Sequence, residues 1–365
     1  MYWLSTLILL LMFLLISASL IFMPYLTRDT VSFGVSVSGE MYHSAPIRAL
    51  RKRYAWVSGI LYSLFLLFCL IGTSTMDSLK QEMVIGWFVG MMVISSIVIN
   101  LAFHFRMKKY KLDNPIVPTT NQTISIDTKF RQHKLIFSNK WFIIHLVIAV
   151  CSTFLALRYY NQFPETLAMK FDFQGNVTRS VDKSYTAVLG INLMQFMMTF
   201  LFMFLNRTIL KSKQQLNSNN PEISLKQNII FRRSWSLFIV ITGLLMVLLF
   251  AFIQLNMIFA YKTEVIGLVS IVIASIIIVA AVSLSFITGQ SGNRIGKSSE
   301  HVNSHPINDD AHWKLGSFYY NPQDPSIWIE KRSGIGWTIN MARPISWIIL
   351  IGIPTMLISI SLLMN

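Results

Sequence analysis

The chain has 365 residues, of which 53% are hydrophobic and only 13% charged, and its mean hydropathy is +0.54. Soluble domains carry about 25% charged residues, so this composition excludes an ordinary soluble globule, because the excess apolar side chains must face lipid. The net charge of +15 is typical of the Lys and Arg that collect in cytoplasmic loops of membrane proteins. Since the basic residues form no nucleic-acid-reading motif, we expect no nucleic-acid partner.

Eight apolar stretches are long enough to cross the ~30 Å hydrocarbon layer as helices. We therefore predict an all-α polytopic membrane protein, with a small ordered outer loop after span four and a small α/β-like cytoplasmic module before span eight. The predicted spans are Tyr2–Met23, Ala55–Gly72, Met83–Phe103, Trp141–Tyr159, Tyr185–Leu205, Trp235–Leu255, Val265–Ile287 and Ile345–Met364.

Four regions follow from these spans. Residues 1–140 hold three spans and basic loops, and residues 141–205 form a two-span hairpin. Residues 206–287 hold spans six and seven with a basic linker, and residues 288–365 hold the module and the last span. The odd-numbered loops contain 25 of the 31 Lys and Arg residues. The positive-inside rule then places the odd loops in the cytoplasm and both termini outside.

The cytoplasmic loops contain several short predicted elements. In loop one, "SFGVSVS" alternates like a strand, and "APIRALRKRY" predicts a helix that enters span two with its cations at the anionic inner leaflet. "TISIDTKF" in loop three is a further strand candidate. Loop five has a disorder-like centre, "QQLNSNNPE", between basic ends.

A few polar residues fall at membrane depth, where unpaired polar groups are costly. Asn192 and Gln195 are three positions apart and share one face of span five, and His145 lies in span four. We expect an intramembrane polar patch of these three residues that holds helices together by hydrogen bonds. The alternative is a path for a small or lipidic solute, although no carboxylate or inverted repeat supports it.

The outer loop, Arg158 to Tyr185, combines a proline stop, the strand candidate "KFDF", the turn "QGN" and mixed charge. We therefore expect a small ordered cap that fixes spans four and five or contacts a ligand. The residues that define it are Pro164, Lys170, Phe171, Asp172, Gly175 and Lys183.

This order of Pro, aromatic-Asp, Gly and Lys-Ser-Tyr between two spans resembles the outer-loop signature of a bacterial membrane family. That family includes the immunity protein for the sporulation-delaying toxin. The resemblance implies a multi-pass protein of the bacterial cell membrane that protects against a toxic peptide or senses one. The family's histidine is absent, because Ala168, Met169, Lys170 and Phe171 occupy that part of the motif, so no metal or proton role is carried over.

Loop seven opens with "GNRIGKSS", which lacks the glycine that a phosphate loop needs at the position of Ser291. The following histidines and acids are interpreted as a hydrophilic linker, because Pro306 directly follows His305 and breaks a helix that would align His301 with it. We accordingly expect no metal, no cofactor and no catalytic residues, since no nucleophile–base pair or zinc-protease motif occurs in the sequence.

The segment from Trp313 to Pro344 is rich in turn signals and aromatics. Asn-Pro and Asp-Pro predict two turns, "SIWIE" predicts a strand, and a Gly-x-Gly predicts a tight turn. We expect an amphipathic unit on the inner leaflet, with its Trp side chains at the interface and its Lys and Arg on lipid phosphates. Its residues are Trp313, Gly316, Asn321, Pro322, Asp324, Pro325, Lys331, Arg332, Gly334, Gly336, Trp337, Asn340 and Arg343.

The same segment also resembles a second, uncharacterised cytoplasmic module of such bacterial membrane proteins, through "YYNPQDP", "EKRSGIGWTIN" and the final Arg-Pro. No activity is attached to that module. The outer-loop resemblance, with the ordered outer loop, favours a non-enzymatic immunity or sensing role against toxic peptides or envelope stress, and the alternative is a small-solute or lipid transporter. The expected partners are anionic inner-leaflet lipids and either a peptide toxin or a cytoplasmic regulator.

Overall fold

A computed structural model describes residues 2–75, 78–115, 130–171, 177–215, 220–259, 263–296 and 309–363 of the chain. Within these residues the fold is mostly helical. The longer helices are α1 (Tyr2–Ile21), α4 (Ala45–Thr75), α5 (Ser78–Asp113), α6 (Phe142–Arg158), α7 (Tyr185–Lys211), α8 (Pro221–Phe259), α9 (Thr263–Thr288) and α10 (Pro344–Leu363). Two short helices, α2 (Met23–Leu26) and α3 (Gly39–His43), lie between α1 and α4.

Six helices in the described part of the chain are long and apolar enough to cross a membrane. They correspond to predicted spans two to seven and confirm a membrane-embedded helical architecture. Two further apolar stretches, Leu7–Ile21 and Pro344–Met356, are shorter. They lie in the first and last predicted spans, within the 20-residue helices α1 and α10.

Several helices extend well beyond the predicted spans. The helix predicted from "APIRALRKRY" is confirmed, because α4 begins at Ala45 and continues through span two. Loop five is much shorter than predicted: α7 continues to Lys211 and α8 begins at Pro221. Proline is well suited to a first helical turn. The basic segment before span six is therefore an extension of the membrane helix.

Four antiparallel two-stranded sheets complete the described fold. "SFGVSVS" forms a hairpin, β1 (Val31–Ser32) with β2 (Val35–Ser36), because Phe33 and Gly34 take positive φ. In the outer loop, β3 (Thr166–Phe171) pairs with β4 (Val177–Asp182). The loop-seven pairs are β5 (Trp313–Lys314) with β6 (Phe318–Tyr319) and β7 (Trp328–Glu330) with β8 (Trp337–Ile339).

These strands extend the predictions. "SIWIE" does form a strand, but its partner β8 and the whole β5–β6 pair were not predicted. The strand expected from "KFDF" starts earlier, at Thr166, and pairs with an unpredicted β4. The strand candidate "TISIDTKF" lies outside the described residues except for Phe130, which begins a short 3-10 turn.

The helices pack so that the loops gather at two ends. Helices α6, α7 and α8 pack together, α9 packs on α8, and α1 contacts α4 and α9. The β1–β2 hairpin and the segment 309–343 contact each other at one end, which we call the module end. The β3–β4 hairpin packs at the other end, against Ile258 near the end of α8 and Val188 near the start of α7; we call this the hairpin end.

Candidate functional site

The module is the segment from Asp309 to Arg343. Its two hairpins are joined by a parallel bridge between Tyr319 and Asn340. Trp313, Tyr319 and Ile329 form a small buried apolar cluster between them. Trp313 is therefore a core residue, and the prediction that it anchors at the lipid interface was wrong.

Two predicted turns at the base of the module are present. The Asn321 side-chain oxygen accepts a hydrogen bond from the Gln323 amide at 2.9 Å, and Asp324 does the same for Ser326 at 2.9 Å. Such Asx turns let short polar side chains replace a backbone turn bond. Pro322 and Pro325 each follow one of these residues.

Buried Asn340 holds these turns together. Its amide nitrogen donates to the carbonyls of Asn321 and Asp324, at 2.8 and 3.1 Å. The Arg343 guanidinium donates to the same Asp324 carbonyl, at 2.9 Å from Nε and 2.5 Å from Nη2. Arg343, which was predicted to bind lipid phosphate, thus closes the module at the start of α10.

Glu330, at the end of β7, is the buried centre of the module end. Its side chain is 0% exposed and forms ion pairs with Arg28 from the segment after α1 and with Arg232 from α8, whose side chain is also 0% exposed. Asn228 donates to Glu330 Oε1 at 2.9 Å, and the Ser291 hydroxyl donates to Oε2. One carboxylate therefore connects the segment after α1, helix α8 and the turn after α9.

All three guanidinium nitrogens of Arg232 donate hydrogen bonds. Besides Glu330, it donates to the Asn228 side chain at 2.6 Å and to the carbonyls of Ile209 and Lys213, at 2.7 and 3.1 Å. Buried charges are tolerated only when they are paired and hydrogen-bonded. Arg232 thereby fixes the end of α7 against the start of α8.

Arg332 forms a second ionic centre, with Asp309 and Asp310. It also donates to the Ser36 hydroxyl at 2.8 Å and the Gly34 carbonyl at 3.1 Å, so it ties the module to the β1–β2 hairpin. Arg332 is buried, and the prediction that it binds lipid phosphates was wrong. The two aspartates, which were expected in a hydrophilic linker, are part of the module.

Asp310 is held ionised by its neighbours. Burial alone would raise its pKa, but Arg332, the Lys111 ammonium at 2.6 Å and the Ser36 amide outweigh that effect and lower the pKa to about 2. Lys111 lies in the last turn of α5. The pairing therefore brings the end of α5 into the module end.

Loop five reaches the module through Lys213. Its ammonium lies 2.6 Å from Asp324 Oδ2, and its amide donates to the Trp328 carbonyl at 2.8 Å. Burial opposes ionisation of Asp324, but hydrogen bonds from Lys213 and Ser326 leave its pKa lowered. Burial, together with the neighbouring Asp324, raises the pKa of Tyr319 to about 12.

Glycines with positive φ are needed at two places at this end. Gly316 and Gly34 both have positive φ and their backbones are in direct contact, so a Cβ on either would overlap neighbouring atoms. His104 Nδ1 lies 2.8 Å from the Phe33 carbonyl beside them. Gly336 has φ +103° and exchanges two hydrogen bonds with buried Gln290.

The remaining predicted module residues are at its edge. Gly334 has positive φ, as the tight-turn prediction requires. Trp337 contacts the Phe231 ring of α8. Lys331 is exposed. His301 and His305 lie outside the described residues, and no group of three or more His, Cys, Asp or Glu is placed to hold a metal in the part that is described.

A polar cluster lies among α6, α7 and α8. Asn192 donates to Gln254 at 2.8 Å and to Gln195 at 3.1 Å, and Gln254 returns a 2.7 Å bond to Asn192. Ser152 donates to Gln254 at 2.5 Å, and Gln195 donates to the Val247 carbonyl at 3.1 Å. Asn192 and Gln195 thus meet as predicted, but with Ser152 and Gln254.

His145 is bonded elsewhere. Its Nε2 lies 3.1 Å from the Val240 carbonyl of α8, and Gly243 leaves the space that its ring occupies. Because it is seven residues from Ser152 on α6, the two are separated by about 10 Å along the helix. The three-residue patch predicted from the sequence is therefore divided into two separate helix contacts.

The β3–β4 hairpin is anchored mainly by apolar side chains. Leu167 and Phe163 pack in a buried cluster with Ala156, Val188 and Ile258. At its base, Lys183 donates to the Phe163 carbonyl and to Glu165, both at 3.1 Å. Pro164, which lies between the two partners of Lys183 in the chain, is exposed. Asp172 and Gly175 lie outside the described residues.

Apart from these contacts, much of the hairpin is exposed. Five of the six residues of β4 are exposed, and Lys170 of β3 lies opposite Arg179 of β4. Phe171 ends β3. Ser184 caps α7, as its Oγ accepts from the Ala187 amide at 3.1 Å, so the Lys-Ser-Tyr motif does enter a helix as predicted.

Comparison with known proteins identifies only one segment. Residues 322–347 match a family of unknown function (DUF5808). This range runs from the Asn-Pro turn through β7, β8 and Asn340 into α10. No curated protein and no solved structure matches the chain. Similarity to known proteins therefore marks residues 322–347, the second half of the module and the start of α10, as a recurring unit of unknown role.

The residues that sequence reasoning missed are chiefly Glu330, Arg232 and Arg28. The only sequence signal was that acids are scarce: the chain has 16 Asp and Glu against 31 Lys and Arg. An acid beside a predicted strand of such a basic chain is a candidate for a buried ion pair.

Proposed function

We propose that this is a non-enzymatic, multi-pass protein of the bacterial cell membrane that senses or neutralises toxic peptides at the outer face. The observation that carries the proposal is the β3–β4 hairpin, which is fixed at its base and exposed along β4. In a two-stranded sheet each strand has one edge with no neighbouring strand among the described residues. Extended peptides bind such edges by adding a strand.

The topology belongs to the same proposal. Eight spans, with α1 and α10 as the first and last, would place both termini outside. Support comes from the module end, where the loop after α1, the α7–α8 loop and the segment before α10 contact one another. These segments belong to the predicted odd-numbered loops, which together carry 25 of the 31 Lys and Arg residues, and that excess favours a cytoplasmic location. An N-terminal reporter that proves cytoplasmic would overturn this orientation.

The functional test is a deletion strain challenged with a panel of membrane-active peptides. We expect raised sensitivity to at least one peptide, restored by the full chain. A variant with residues 168–180 replaced by a Gly/Ser linker should fail to restore resistance, whereas Lys314→Ala, an exposed change at the opposite end, should restore it. Unchanged sensitivity of the deletion strain across the panel would contradict the proposal.

Transport of a small or lipidic solute is the second candidate, favoured by the buried cluster of Ser152, Asn192, Gln195 and Gln254. Against it, these groups bond to one another and to backbone carbonyls. Replacing His145, Asn192 and Gln195 together by apolar residues should abolish flux if transport uses them. Unaltered solute flux in that variant would dispose of this alternative.

A further inference from the structure

A groove of about 550 Å³ runs along α4, beside the end of α1. Its walls include Ile21 at the end of α1, Phe22 directly after it, and residues of α4 between Lys52 and Leu67. Gly59 forms its floor: the nearest atom to a Cβ there would be Ile21 Cδ1, at 3.9 Å. The groove therefore exists because a side chain is missing at one position of an apolar helix.

The groove has the length of one leaflet. Lys52 and Leu67 are fifteen residues apart on α4, which is about 22 Å at 1.5 Å per residue. A bilayer is about 40–45 Å thick with its headgroups, so one leaflet measures about half of that. The groove thus spans the distance from a headgroup to the bilayer midplane.

The polarity along the groove follows the same order. Lys52 stands at the module end of the groove, and exposed Arg48 is one turn earlier on the same face of α4. Among the described residues no carboxylate pairs with either cation. Trp56 follows, 64% exposed, as expected of an indole at the headgroup boundary. Beyond it the lining is apolar except for Ser63.

We propose that this groove binds one anionic glycerophospholipid. The phosphate contacts Arg48 and Lys52, and one acyl chain lies over Gly59 between α1 and α4. The two cations favour an anionic headgroup by charge complementarity, and the apolar groove, about 22 Å long, favours a lipid over a free anion. A lipid in this groove would lie against the contact between α1 and α4. Binding would therefore be coupled to the segment that follows α1 and holds Arg28.

Native mass spectrometry of the full chain in detergent tests the proposal, with phosphatidylglycerol and phosphatidylcholine of identical chains as probes. We expect one phosphatidylglycerol to be retained in preference to phosphatidylcholine. The double variant Arg48→Ala/Lys52→Ala should weaken that retention about thirtyfold, or roughly fivefold for each cation. Gly59→Leu should reduce retention of both lipids, because it fills the place of the acyl chain.

The matched control is Arg53→Ala/Lys108→Ala, which removes the same charge from exposed positions that do not line the groove. Equal losses in the two double variants would show a general surface-charge effect and overturn the proposal. Full retention in Gly59→Leu would also overturn it, because no chain would then occupy the groove. Unchanged thermal unfolding of each variant establishes that the fold is intact.

Discussion

The hairpin end and the module end are attached to the same helices by different physics. The β3–β4 hairpin connects two consecutive helices and is held by apolar contacts around Leu167 and one exposed ion pair. The module connects the loop after α1 and helix α8 through buried charges centred on Glu330 and Arg332. Apolar contacts weaken gradually when trimmed, whereas a buried charge network fails when one partner is lost.

This difference suggests separate roles for the two ends. A locally anchored hairpin can change shape to meet a partner without disturbing the rest of the bundle, because it shares few contacts with distant segments. The module cannot do so, because its ion pairs fix it to the end of α7, to α8 and to the loop after α1. The hairpin end is thus suited to binding and the module end to fixing the helices.

The largest expected effect comes from matched amide substitutions at the two ends. Glu330→Gln leaves Arg28 and Arg232 without their carboxylate, and breaking a buried pair costs about 3–5 kcal/mol. Glu165→Gln removes the partner of Lys183, but that carboxylate is 90% exposed, and exposed pairs contribute below about 1 kcal/mol. In thermal unfolding of the full chain in detergent, Glu330→Gln should lower the unfolding temperature much more than Glu165→Gln. Equal unfolding temperatures would contradict the comparison.

Leu167→Ala should give the next largest effect, confined to the hairpin end. Truncating a fully buried leucine costs about 2–4 kcal/mol through lost contacts and a cavity. Amide exchange should accelerate across β3 and β4 while β7 and β8 remain as protected as before. Acceleration at both ends would show that the hairpin and the module unfold as one unit.

Acid should affect the module end selectively. Asp310 has a pKa of about 2 in the fold, below its ordinary value of 3.8. A lowered pKa stabilises the fold above the ordinary value, so this contribution is lost as pH falls from about 4 towards 2. Asp310→Asn should flatten the curve of unfolding temperature against pH over that pH range. A variant curve parallel to that of the unmodified chain would refute this assignment.

The smallest expected effect is at the start of α7. Ser184→Ala removes the side-chain acceptor for the Ala187 amide, and such N-cap losses cost about 1 kcal/mol. Exchange should quicken at the first amides of α7, and Ser184→Asp, which keeps an acceptor, should restore protection. Identical exchange in Ser184→Ala would show that tertiary contacts alone set this helix end.

The sequence by itself determined the features that depend on neighbouring residues. Apolar runs predicted spans two to seven, Ser184 marked the start of α7, and Asn321 and Asp324 marked two turns. Each of these rests on hydropathy or on a hydrogen bond between residues two or three positions apart. Such interactions are set by local chemistry and can be derived from residue order.

Only the tertiary structure decided the pairing of distant polar groups. Arg332 bonds to Gly34 across 298 positions, and Asn192 bonds to Gln254 across 62. An arginine near a predicted membrane interface can pair with a lipid phosphate or with a buried aspartate. The composition of the surrounding segment does not distinguish these two partners. The choice depends on which loops the helices bring together, and that is a property of packing rather than of any short stretch of residues.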